Sequence, residues 1–401
     1  MAAPRKTFAR TDLAQQISEN LLHSHAASAA GSGLFLAAPR RTGKSTFVRE
    51  DLRPALEKAG ALVVYADLWA DRKADPGEVI TAAVREAVGK HDGVLLRLAK
   101  AAGLDKVTLG GLAFSVDKVG LGAHVSLSAA LAALSDEIQR PIVLIIDEAQ
   151  HAITTDHGYD ALFALKAARD ELNSSAHYGL RIVATGSNRD KLAMLRNSKD
   201  QAFFGAPLIP FPTLDRPYID WFCANSGLQG ALDPEKVAKL FKQAGYRPEI
   251  LGAAADQVRF DFNISRAEIS KKFAEAVKIQ IDASHLQTLQ VIHALTPLQG
   301  AVLRVIALHQ DKFAPFEAAT MTAYRAMLKQ LDPHSTIQID TANVQQALMA
   351  LQEKTLIWKE RRGVYAMEDH ATAEIMAAEG MLTTAASYQP ANPRKRPRRG
   401  P

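Results

Sequence analysis

Cysteine is almost missing: Cys223 is the only one in 401 residues. A single thiol builds no internal disulfide framework and no cysteine zinc site. His23, His25, His151 and His157 show no metal-ligand spacing to that thiol or to acids. No apolar run approaches the roughly 20 residues that a membrane-spanning helix needs. The start, Met1-Ala-Ala-Pro-Arg-Lys-Thr-Phe8, has a basic flank but no apolar stretch behind it, so no secretory signal is expected. No internal repeat is present. These absences point to the cytoplasm and to no membrane partner. The body also lacks a charge excess. The net charge is +5, from 48 basic and 43 acidic residues, and Arg394, Lys395, Arg396, Arg398 and Arg399 account for all of it. A nucleic-acid surface must then be a local patch or the tail itself; a merely solvating tail is the alternative.

What is present is ordinary for a globular protein: 47% apolar and 23% charged residues, in a chain long enough for two or three domains. Short apolar strands are predicted at 33–38, 61–67, 141–147, 180–185 and 207–211, alternating with helices near 11–23, 44–58, 78–90, 94–102, 128–140 and 159–172. That alternation implies an α/β fold with a parallel sheet covered on both sides. The run Pro141-Ile-Val-Leu-Ile-Ile-Asp147 is β-branched and continuous, as a strand buried on both faces requires. Residues 106–127 are Gly-rich and alternate apolar with polar, which predicts an inserted β-hairpin or ribbon. From 215 to about 284 the pattern is helical. Residues 296–367 then predict three helices (298–309, 318–330, 341–354) and two strands (356–359, 364–367), the order of a winged helix-turn-helix. The expected organisation is a P-loop core at 1–214, a helical lid at 215–294, a winged helix at 295–372, and a helix with a disordered basic tail at 373–401.

Two segments carry chemistry. Ala38-Pro39-Arg40-Arg41-Thr42-Gly43-Lys44-Ser45-Thr46 follows a strand and opens a helix, the context of a phosphate-binding loop. Backbone N–H groups over Pro39–Thr46 and the helix N-terminus converge on phosphate oxygens. Lys44 supplies a point charge for the β- and γ-phosphates. The Ser45 hydroxyl completes a magnesium shell, since Mg²⁺ takes oxygen ligands and shares them with phosphate. The first glycine of the pattern is replaced by Ala38, which serves if its φ is negative. Asp147 and Glu148 end the strongest strand, at the edge where parallel sheets bind ligands. Asp147 is the expected second magnesium ligand, and Glu148 the residue that orients and polarises the attacking water. The alternatives are a chance Gly-Lys-Ser at a helix start and a helix N-cap after a strand. No Asn-Lys-x-Asp guanine-recognition segment accompanies them.

The runs PRRTGKST (39–46), IVLIIDEAQH (142–151) and RIVATGSNR (181–189) resemble the bacterial and archaeal P-loop ATPases of the AAA+/STAND borderland, relatives of origin-recognition-type ATPases that often end in a winged helix. The resemblance spans about 8–367 and is most specific at the two Walker motifs. It implies ATP with Mg²⁺ as the ligand, ATP hydrolysis, and a switch acting on DNA in replication, mobile-element or phage-defence systems. The alternative is a signalling switch that binds a partner protein and hydrolyses slowly. Phe8-Ala-Arg10-Thr-Asp-Leu13 is similar to the family's N-terminal box near the adenine, so Arg10 is a nucleotide-binding candidate. Ser187 or Asn188 would be sensor 1, Asn188 being the catalytic candidate, or a plain turn. Arg247 would be sensor 2. After Phe203-Phe204-Gly205 the family often has arginine, and here stands Ala206; Arg189 and Arg196 are substitutes. Double-stranded DNA would meet the wing at Lys359, Arg361 and Arg362, the basic tail, and helix residues Asn343, Gln345, Gln346, Gln352 and Lys354. A homo-oligomer and a protein partner encoded nearby are further expectations.

Overall fold

A computed structural model describes residues 7–23, 28–94, 98, 113–115, 124–174, 177–197, 200–228, 230–309, 313–359 and 363–382. They fall into two compact units, up to Ser284 and from His285 onward.

The first unit opens with α1 (Thr11–Leu22) and β1 (Leu34–Ala37). A helix follows in three pieces: α2 (Lys44–Phe47), a π turn (Val48–Leu52) and α3 (Arg53–Lys58). Then come β2 (Leu62–Asp67), α4 (Pro76–Gly89), β3 (Ala113–Ser115), β4 (His124–Ser126), α5 (Leu127–Ile138), β5 (Ile142–Asp147), a 3-10 turn (Ala149–Thr154), α6 (Asp156–Ser174), β6 (Leu180–Gly186), α7 (Arg189–Ala193) and β7 (Leu208–Pro210). Five strands make one parallel sheet in the order β2-β5-β6-β1-β7. Every residue of β5 is buried, as its unbroken apolar run predicts. Val143 and Ile145 share a core with Leu36, Val63 and Val183, closed by Ile17 and Leu21 of α1 and by Val48 and Leu52. The alternating residues Ile142, Leu144 and Ile146 face the other way. On the flanks, α4 packs on β2, and α6 on β6.

Because all five strands are parallel, their carboxyl ends share one edge. Asp67 is in register with Asp147, and Ala37 with Gly186. Strand β6 lies between β1, which feeds the phosphate loop, and β5, which carries the acids.

Of the two forms expected for the Gly-rich stretch, the hairpin is not the one found. The described part of 106–127 is a parallel pair, Ala113–Ser115 with His124–Ser126, not a hairpin; a parallel pair needs a crossover where a hairpin needs only a turn. The rest of that ribbon, and most of the helix expected at 94–102, lie outside the described residues.

Helices α8 (Arg216–Asn225), α9 (Pro234–Gln243), α10 (Pro248–Arg259) and α11 (Ile269–His293) follow. The first three carry proline in their first turn, where its missing N–H removes no helical bond. Tyr218, Phe222, Phe241 and Phe273 form an aromatic core among them, and Phe8 packs edge-on against Tyr218 at 5.7 Å. The division between the units falls inside α11.

The second unit holds α12 (Pro297–His309), α13 (Ala318–Leu331), α14 (Thr341–Glu353), the antiparallel pair β8 (Ile357–Lys359) and β9 (Tyr365–Met367), and α15 (His370–Ala378). Leu348, Leu351 and Ile357 lie in its core, as their spacing predicts. Residues 332–340 join α13 to α14, a longer link than the 3–4-residue turn of a simple helix-turn-helix. Arg361, Arg362 and the basic tail lie outside the described residues. Among the described residues no helix is long and apolar enough to cross a membrane.

Candidate active site

The phosphate loop begins where β1 ends. Ala38 N donates to Gly186 O at 3.1 Å, and Ala38 is absent from the positive-φ residues, so alanine is accepted in the place of the pattern's first glycine. Thr42 Oγ1 donates to Pro39 O at 2.8 Å and braces the turn. Gly43 enters the helix at φ 85°, in the left-handed region that glycine occupies without penalty. The N–H groups of the first turn have no intrahelical acceptor, which makes this end an anion site. Pro39, Arg40, Arg41, Gly43, Lys44, Ser45, Thr46, Trp69 and Glu148 line a cleft of about 380 Å³.

Lys44 is buried, with its side chain 5% exposed. Its Nζ donates to Glu148 Oε1 at 2.6 Å and lies 3.8 Å from Asp147 Oδ1. A lysine whose whole stem is desolvated needs an anionic partner, and here it has two.

Asp147 is held at both oxygens. Tyr65 OH donates to Oδ2 at 3.0 Å, while Thr185 Oγ1 and Glu148 N donate to Oδ1. Tyr65 in turn accepts from Arg49 Nε at 3.1 Å, and Arg49 Nη2 pairs with Asp67 at 2.9 Å. Burial, with the Asp147 charge beside it, pushes the Tyr65 phenol up, so it stays a hydrogen-bond donor.

Glu148 has left-handed backbone, φ 54°, and turns the chain out of β5. Its Oε2 accepts from Gln150 Nε2 at 2.6 Å, Ser187 Oγ at 2.7 Å and Ser187 N at 3.2 Å. Burial alone would raise this carboxyl; the Lys44 charge and the hydrogen bonds from Lys44, Ser187 and Gln150 outweigh burial and hold it at about 2. Gly186 makes room for this network: a Cβ there would sit 2.5 Å from Gln150 Oε1. Nearby, Trp69 stacks on His151 at 4.4 Å, and Arg40 and Arg72 lie over its ring at 4.8 and 4.1 Å.

The structure brings Lys44, Ser45, Asp147, Glu148 and Ser187 together. Of the two sensor 1 candidates, Ser187 touches Glu148, whereas Asn188 Oδ1 accepts from Asp190 N and Lys191 N as the N-cap of α7. Arg10 donates to Pro212 O at 2.8 Å and Thr213 O at 3.4 Å and lies over Phe211. Arg247 donates to Glu249 Oε1 at 2.8 Å and Ser284 Oγ at 3.2 Å; Arg41 Nη1 approaches the same Glu249 oxygen at 3.9 Å. Ala206 is fully buried, Arg189 is exposed, and Arg196 donates to Asn197. In the second unit, Lys359 lies over the Tyr365 ring, and Asn343 is tied to Gln338 O and Asp340 at the start of α14.

Tyr65, Thr185 and Gln150 escaped the sequence reading. Tyr65 sits two residues before the end of β2 and Thr185 two before Ser187, so only the strand order brings them to Asp147. The donor set suits a magnesium nucleotide: a buried cation at a helix start, the Ser45 hydroxyl, an aspartate oriented at both oxygens, and a glycine in left-handed backbone.

No protein-family model matches the chain, and no curated protein matches it. Among solved structures, the chain is similar to a Walker-type ATPase of Pyrococcus abyssi, at 16% identity over 94% of this chain and 99% of that one, with a TM-score of 0.49. It is similar to the Aeropyrum pernix ORC1 protein in complex with DNA, at 15% identity over 94% of each chain and a TM-score of 0.44. It is also similar to AMPPCP-bound DnaA from Aquifex aeolicus, at 13% identity over 86% of this chain and 88% of that one, with a TM-score of 0.38.

Proposed function

We propose that the chain binds a magnesium nucleotide in the cleft at Lys44, hydrolyses ATP there, and uses the cycle as a switch acting on DNA. The observation that carries the catalytic part is the buried contact from Lys44 to Glu148, 2.6 Å, with Asp147 at 3.8 Å. It joins a phosphate-binding loop to a carboxylate pair at the carboxyl edge of one parallel sheet. Lys44 and the loop N–H groups bind the β- and γ-phosphates. Ser45 and Asp147 would hold magnesium, which spreads charge off the phosphate oxygens and orients them. Tyr65 and Thr185 keep Asp147 in one rotamer for that task. Glu148 orients the attacking water and accepts its proton.

The same pair supplies a gate. Held at about 2, Glu148 is a weak base. A phosphate that takes over Lys44 removes the largest influence holding that carboxyl down, so Glu148 becomes more basic when substrate is in place. Adenine over guanine rests on the resemblance and on the missing guanine-recognition segment.

The DNA part rests on the element order of the second unit, on Lys359 at the strand pair, and on the basic tail. A second reading has an observation of its own: residues 285–382 carry eight Lys and Arg against ten Asp and Glu. That balance suits a protein-docking module better than a phosphate-gripping one.

One experiment separates them. ATP hydrolysis is measured for wild type, Lys44→Ala and Glu148→Gln, with and without duplex DNA at low salt. Loss of turnover in both variants, and stimulation of wild type by DNA, supports the DNA-coupled ATPase. Binding of ATP by a wild type that turns over no faster than Glu148→Gln, with no retention of DNA, moves the partner-binding switch ahead.

A further inference from the structure

Three cationic side chains line the cleft: Arg40, Arg41 and Lys44. They are not equivalent. Arg41 is 69% exposed and faces Glu249. Lys44 is neutralised by Glu148 at 2.6 Å. Arg40 is half-buried, and its Nε donates to Ser187 Oγ at 3.4 Å; that hydroxyl donates to Glu148 Oε2, the oxygen that Lys44 does not hold. The chain of contacts Lys44–Glu148–Ser187–Arg40 therefore links two cations through one carboxylate and one hydroxyl. The Arg40 guanidinium is also held from behind, over the Trp69 ring at 4.8 Å. That ring is itself fixed by its stack on His151 and by Trp69 N donating to Asp67 Oδ1 at 3.0 Å. A planar guanidinium on an aromatic platform loses less freedom on meeting an anion than a free arginine does.

We propose that Arg40 contacts the terminal phosphate of the bound nucleotide and supplies, from within the same chain, the second positive charge that the transferred phosphoryl group needs. Lys44 serves the β- and γ-phosphates and magnesium at Ser45 and Asp147 would offset part of their charge, and Arg40 is a further half-buried cation lining the same cleft. Arg40 shifts from Ser187 Oγ to a terminal phosphate oxygen, while its stacking on Trp69 persists. A diphosphate lacks that oxygen, so Arg40 discriminates triphosphate from diphosphate. The inference rests on the nucleotide reading above, and Trp69 acts here only as a positioning residue.

The test compares magnesium-dependent affinity for a non-hydrolysable ATP analogue and for ADP in wild type, Arg40→Ala and Trp69→Leu, together with turnover at several protein concentrations. Expected is a wild-type affinity for ADP in Arg40→Ala, a loss on the order of tenfold for the triphosphate analogue, and a turnover lower by about 10³-fold, the lower end of the range for arginines that neutralise a transferred phosphoryl group. Trp69→Leu shows the same pattern, smaller. Free guanidinium restores part of the Arg40→Ala loss, which a merely structural role would not allow. Wild-type turnover per chain stays constant on dilution. Equal loss of ADP and triphosphate binding in Arg40→Ala overturns the proposal, since Arg40 then serves only the loop. So does an unchanged affinity ratio, or a turnover per chain that falls on dilution, which assigns the charge to a second copy. A wild type that binds neither nucleotide sinks the nucleotide reading itself.

Discussion

The Glu148 carboxylate is kept ionised by Lys44, against burial that favours its neutral form. In the unfolded chain it titrates near 4.5; in the folded protein it is held at about 2. A lowered folded value contributes stability that is full above pH ~4.5 and fades as pH falls toward ~2, roughly 3 kcal/mol in all. The pH profile of unfolding free energy for wild type, minus that for Glu148→Gln, therefore slopes between those two values and is flat above pH 5. At neutral pH, Lys44→Ala leaves the buried carboxylate unpaired and destabilises by about 3–5 kcal/mol, and adding Glu148→Gln recovers most of it. Chemical denaturation of the double-mutant cycle checks both; additive effects would refute the coupling. Lys44, Asp147 and Glu148 were legible in the sequence because each is fixed by a local pattern. Thr185, Tyr65 and Gln150 were not: a hydroxyl inside a strand is silent until its neighbouring strand is known, and Gln150 depends on how the chain turns after Glu148. Asn188 was named for its place after β6, but a residue just before a helix caps it first.

Strand β6 separates the phosphate loop from the acids, and its end must be narrow. Gly186 gives up side-chain space so that Gln150 can reach Glu148. With Gly186→Ala, a Cβ 2.5 Å from Gln150 Oε1 and 3.1 Å from Leu192 Cδ1 forces one of them aside. Overpacking of this kind costs about 1–3 kcal/mol. Thermal unfolding reads that loss, and turnover falls as well, since Glu148 loses an oriented donor. A variant with normal stability and activity would show that Gln150 has no part in holding the carboxylate. The five strands of the sheet were legible because their runs are short, largely apolar and bounded by turns. For the Gly-rich ribbon the hairpin alternative falls, because alternation fixes a strand's faces but not the direction of its partner. The helix after the phosphate loop was read as uniform; its π turn over Val48–Leu52 leaves no mark in the apolar period.

Two units with separate cores predict two cooperative unfolding events. Magnesium nucleotide at the cleft raises only the transition of the unit that contains Lys44, by an amount that grows with the logarithm of ligand concentration. Calorimetry with and without Mg-ADP checks this, and a single transition that shifts as a whole would contradict it. The split was foreshadowed by chain length and by the change of pattern after 284; its place inside α11 was not, because a continuous helix carries no signal of where one core gives way to the next.

The Lys44–Glu148 contact also bears on which anions can enter at all. A free inorganic phosphate ion meets the loop N–H groups, but to reach the lysine it must displace a carboxylate already 2.6 Å away. The proposed nucleotide would bring a base, a ribose and a chain of phosphates with their own contacts, a surplus that can displace the carboxylate. On the proposed nucleotide reading, Glu148 would act as a built-in competitor that screens the loop at Lys44 against small anions.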